Sequence, residues 1–161
     1  MDGAFLENFE SVWRRVRGEA APQPKPEDDA AVALGGHMDA LAASAAYLTA
    51  MAGRCGGAHR GELLRLAAAS ARRFRCLQLE YFLLTGGFHR PAGSCPCRAG
   101  IAQGLRTAYL TAGETEKRLR ADAEKREGAL REALLDAAAG EAKSARALRE
   151  LLKRVIVGEI R

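Results

Sequence analysis

Four cysteines, three histidines and one carboxylate on an apolar stripe are the residues of this 161-residue chain that could support chemistry. Cys95 and Cys97 flank a proline, with His89 close by in sequence, and His59 or Cys55 could complete a tetrahedral zinc site with them. The spacing argues against such a site. Cys-Pro-Cys is not the usual C-x₂-C knuckle and no second cysteine pair follows, so free thiols in a loop are the simpler reading. Cys76 falls within a helical pattern and reads as a core or boundary residue. His37 and His59 read as solvent or turn residues, and no Ser/His/Asp or Cys/His/Asn arrangement suggests a hydrolase. Glu141 lies on an apolar helical stripe, where it either snorkels to solvent or is buried and paired, because an isolated buried carboxylate is costly. Lys143 is on another face of the same helix, so a buried Glu141 needs its cation from a neighbouring helix.

Long amphipathic helices must position these groups. The stretch GELLRLAAASARRFRCLQLEYFLLTG, from Gly61 to Gly86, spaces Leu63, Leu66, Ser70, Leu77 and Leu84 on one face, widened by Ala67, Phe74 and Tyr81. It predicts a helical rod of about 36 Å, which needs partners of similar length. One precedes it, from Asp28 or Asp29 to Gly53, with Leu34, Met38, Leu41, Leu48 and Met51 inward. The breakers Gly56 and Gly57 make these two an antiparallel hairpin. A third helix is predicted from about Ile101 to Arg126, with Leu105, Tyr109, Ala112 and Leu119 inward. The fourth follows Gly128 and carries Leu130, Leu134, Ala138, Glu141, Ala145, Leu148, Leu152 and Val155. Between the second and third helices, residues 87–100 have Gly, Pro and Cys but no periodicity. Fully extended they reach up to roughly 46 Å, which suffices to cross the bundle lengthwise. Ahead of the bundle, FLENFESVWRRV places Phe5, Phe9, Val12, Trp13 and Val16 on one face of a short N-terminal helix. The Pro-rich APQPKPEDD then reads as a linker. The division is therefore 1–27, helix and linker, and 28–161, an all-α four-helix bundle of two hairpins joined by a long crossover.

Composition narrows the function classes. The net charge of +5 comes from 25 basic and 20 acidic residues mixed along the chain, without the basic patch and interleaved aromatics of a nucleic-acid binder. No apolar run approaches the roughly 20 residues of a membrane span. The acidic MDGAFLENFE lacks the basic n-region of a signal peptide, which predicts a cytoplasmic protein with reduced thiols.

The segments RLAAASARRFRCLQLEYFLLTG, AYLTAMAGRCGG, FESVWRR and AAAGEAKSARALRELL together resemble small bacterial ferritin-like proteins related to rubrerythrin. The resemblance covers most of the chain. It implies a ferritin-like bundle and a di-iron centre, built from one Glu on each of two helices and a Glu-x-x-His pair on each of the others. Those positions fall here on Ser70 and Arg73 in the second helix and on Glu141 and Ser144 in the fourth. They also fall on Ala112 in the third helix and on the window Ala40 to Ser44 in the first. One carboxylate among them cannot hold two irons.

The resemblance thus implies a domain that has lost its metal, expects no cofactor, and serves as a structural or interaction module through a homodimer or an unknown protein partner. The alternative is an active non-haem di-iron oxidoreductase or iron-handling protein with iron ligands in a different register. Two expectations follow for the vestigial site. Its surroundings should be dry and apolar, lined by Leu41, Ala43, Ser70, Leu77, Ala112 and Leu148. The guanidinium of Arg73 should take the metal's place and bond Glu141.

Overall fold

The computed structural model describes residues 28–93 and 99–159; the predicted N-terminal helix, its linker, Cys95 and Cys97 lie outside them. The described residues form four α-helices and no strand: α1 (Asp28–Ala52), α2 (Gly57–Thr85), α3 (Ile101–Ala123) and α4 (Gly128–Glu159). The second helix starts four residues before the predicted Gly61, which sits inside it. The third stops at Ala123 rather than near Arg126. Gly86 ends α2 in the left-handed conformation, φ 67°, and its N–H returns to the Phe82 carbonyl at 2.8 Å. A residue with a Cβ would strain this cap.

Helices α1 and α2 form one hairpin and α3 and α4 another; α1 also packs on α3, and α2 on α4. Among the described residues the diagonal pairs have no close backbone approach and meet only through core side chains. Leucine and alanine fill the interior in two layers. Leu34, Met38 and Leu41 of α1 meet Leu77 of α2, Leu119 of α3 and Leu134 of α4 in one. Leu48, Met51, Leu63, Leu105, Leu148 and Leu151 form the other, with small residues between them. Each fully buried leucine contributes about 1.5–3 kcal/mol, so these layers hold the helices together.

The layers also fix the direction of the crossover. Leu84 packs on the first layer, whereas Ala99 and Ile101 pack on the second. The chain therefore travels the length of the helices between α2 and α3, and these two helices run the same way. It starts along α1. His89 covers Gly35, and a Cβ there would come within 3.2 Å of the ring. Asp39 accepts from the Ala92 amide at 3.0 Å and lies 2.8 Å from His89 Nε2. Gly93 then borders a cavity of about 320 Å³ between α1 and α3.

Candidate functional site

A polar centre separates the two apolar layers. On α2 the interval of three residues puts Ser70 and Arg73 on one face, and on α4 the same interval puts Glu141 and Ser144 opposite them. Glu141 is 1% exposed, and the Arg73 side chain is 13% exposed. Both Arg73 Nε, at 3.0 Å, and Nη2, at 2.5 Å, donate to the same carboxylate oxygen, Oε1. Nη2 also lies 3.0 Å from Ser70 Oγ and 3.0 Å from Ser144 Oγ. Two Nη2 hydrogens face three oxygens, so one hydrogen is shared.

Access to this position depends on Gly140. A Cβ there would come within 2.6 Å of Arg73 Cδ and 3.0 Å of its Nη1, so the arginine crosses α4 where no side chain stands. Burial is the strongest influence on Glu141 and pushes its carboxyl above the ordinary value. The Arg73 charge and hydrogen bonds oppose that shift, and Glu116 on α3 adds to it.

The structure brings four of the sequence-derived positions, Ser70, Arg73, Glu141 and Ser144, into one network. It leaves Ala112 out, packed with Ala145 and Leu148 in the second layer. The dry apolar centre expected there is therefore corrected: a guanidinium and three oxygen-bearing side chains occupy it. Ala43 is also displaced from the expected lining; it is half-buried and borders the α1–α3 cavity with Ser44, Tyr47, Thr107 and Thr111.

A second polar cluster went unread in the sequence. His37 is 8% exposed, not a solvent residue, because it faces α3 and approaches Asp122 to 3.3 Å. Arg126 holds the other Asp122 oxygen at 3.3 Å. Burial pulls the His37 ring below its ordinary value; Asp122 opposes this, and Arg118 and Arg126 reinforce it. The signal was present: Asp122 follows Ala108, Ala112, Thr115 and Leu119 at helical spacing along the inner face of α3.

Of the residues considered for a cysteine-based metal site, the described ones do not come together. Cys55 packs at the second layer and His59 sits in the first turn of α2, whereas His89 is at the other end of the helices beside Asp39. Cys76, read as core or boundary, is exposed. Among the described residues no group of three His, Cys, Asp or Glu side chains could hold a metal ion. No described helix is long and apolar enough to cross a membrane.

The donor set at the polar centre does not fit a di-iron pair. Iron requires several carboxylates and imidazoles, and here one carboxylate is already engaged by a cation, with hydroxyls beside it. Comparisons with protein-family models, with curated proteins and with solved structures find no match for this chain.

Proposed function

We propose that this chain is a ferritin-like domain related to rubrerythrin whose di-iron centre has been replaced by an internal salt bridge, and that it serves as a metal-free structural or interaction module. The observation that carries the reading is the Arg73 guanidinium bonded to Ser70, Glu141 and Ser144. These are the four positions at which the resemblance puts two Glu-x-x-His pairs. A cation in that space repels iron, and its bonds with Glu141 consume the remaining carboxylate. Two hairpins joined by a lengthwise crossover support the same ancestry, since this connectivity distinguishes ferritin-like folds from up-down bundles. The reading makes the protein a cytoplasmic bacterial one that acts as a homodimer or on another protein, without nucleic acid.

Metal analysis of the purified chain after anaerobic loading with ferrous iron tests the proposal. The expected content is far below one iron per chain. A stoichiometry of about two irons, the content of a di-iron carboxylate bundle, would refute it.

A further inference from the structure

An apolar patch is uncovered at the end of the bundle where the described chain begins. Leu79 and Phe82, on the outer face of α2, are 58% and 39% exposed, and Phe88 just beyond that helix is 72% exposed. The rings of Phe82 and Phe88 stack with centroids 5.0 Å apart, which joins them into one surface. Arg72, Arg75 and Cys76 continue the exposed stripe along α2. Asp28 is at this same end, because the following turns of α1 pack Leu34 in the layer that Leu77 and Leu84 share.

Twenty-seven residues precede Asp28. Among them FLENFESVWRRV has the pattern of an amphipathic helix, with Phe5, Phe9, Val12, Trp13 and Val16 on one face. Its charges are divided: Glu7 and Glu10 come first, Arg14 and Arg15 last. Twelve helical residues span about 18 Å, and Arg72 to Phe82 spans about 15 Å of α2, so the two faces match in length. The segment 17–27 reaches up to roughly 36 Å, enough to bring Val16 from Asp28 to the C-terminal end of α2.

We propose that residues 5–16 dock as a helix on the Leu79–Phe82–Phe88 face of α2 in their own chain, running parallel to it. The tether allows Val16 at the C-terminal end of α2, and the charges select this orientation. Glu7 and Glu10 then approach Arg72 and Arg75. Arg14 and Arg15 meet the carbonyl end of α2 and Glu80, where cations are favoured. A second copy offers the same face without this covalent tether, which favours docking within one chain over docking between chains.

Trp13 is the single tryptophan of the chain, so its fluorescence reports the docking directly. In the full chain its emission should be blue-shifted and its quenching by iodide several-fold weaker than for an exposed indole, at every protein concentration. Phe9→Ser should return both signals to exposed values without lowering the thermal melt of the bundle, since it alters only the segment. Leu79→Glu and Phe88→Glu should do the same from the other side, while Ile156→Ser on α4 leaves Trp13 shielded. Exposed Trp13 in the parent chain would overturn the proposal. So would shielding indifferent to Leu79→Glu and Phe88→Glu, or shielding that disappears on dilution as a dimer dissociates, which would identify a second copy as the occupant.

Discussion

Replacing Arg73 by leucine removes a guanidinium but keeps most of the volume, and leaves Glu141 without its cation in a site 1% exposed. Solvent cannot compensate a carboxylate buried to that degree. Breaking a buried pair on one side costs about 3–5 kcal/mol. At the entropy of unfolding of a domain this size, that loss lowers the melting temperature by roughly 10–20 °C. The variant's deficit also depends on pH. Glu141 already has its carboxyl raised by burial, and loss of Arg73 removes the influence that pulls it down. A folded-state carboxyl raised above its unfolded value binds a proton on folding, so the variant gains stability as pH falls toward the unfolded value. The deficit relative to the parent should therefore shrink as pH falls toward the ordinary carboxyl range. The double variant Arg73→Leu/Glu141→Leu strands no charge, and its stability should equal or exceed the parent's, as replaced buried pairs often do by about 1–4 kcal/mol. Thermal melts followed by circular dichroism at several pH values measure all three proteins. A single variant that loses less than about 1 kcal/mol, the level of an exposed pair, would refute the reasoning.

Three further outcomes follow from the geometry. Gly140→Ala adds a favourable helix residue, worth about 1 kcal/mol alone, yet should destabilise the parent because the methyl meets Arg73 Cδ; in an Arg73→Ala background the same change should stabilise, which a double-mutant cycle of thermal melts reads. His37 resists protonation in the fold while the unfolded chain takes up the proton at its ordinary value, so stability should decline as pH falls below 6.5, and His37→Leu should remove that slope in denaturant titrations. Asp39→Ala frees both His89 and the Ala92 amide, so hydrogen exchange at residues 88–93 should accelerate while exchange in the leucine layers stays unchanged.

The helices and much of the inner face were legible because leucine and alanine recur at helical intervals: Leu34, Met38, Leu41, Leu48 and Met51 are all buried. The boundaries were less so. Gly61 brackets the predicted rod in sequence, but one glycine costs α2 only about 1 kcal/mol, which its long packed face outweighs. The pairing of Arg73 with Glu141 was expected from the resemblance, which puts both residues at positions of one site; the spacing alone said only that a buried Glu141 needs a cation from a neighbouring helix. The role of Gly140 was not legible, because a glycine beside a buried acid says nothing of which side chain crosses it. His37 was misread for a similar reason: a polar residue between Gly36 and Met38 reads as solvent-facing until its partner on α3 is known. Cys76 shows the opposite error, an apolar-type residue on an exposed stripe.

On α4 the inner residues one turn either side of Glu141 include the alanines Ala137, Ala138 and Ala145, and small residues discriminate poorly between neighbouring alignments. A slide of α4 past α2 by one turn, about 5.4 Å, meets its obstacle at Arg73. There the slide brings Ala137 or Ala145 opposite the guanidinium, leaves Glu141 facing apolar neighbours, and moves Gly140 away from the place where the arginine passes. Its cost is that of two stranded charges, several kcal/mol at least. The salt bridge thus acts as a key that permits one alignment of the hairpins, a property that does not depend on its adding net stability. The double leucine variant should keep its melting temperature yet show split methyl resonances in both layers, the mark of a bundle that has retained its glue and lost its address.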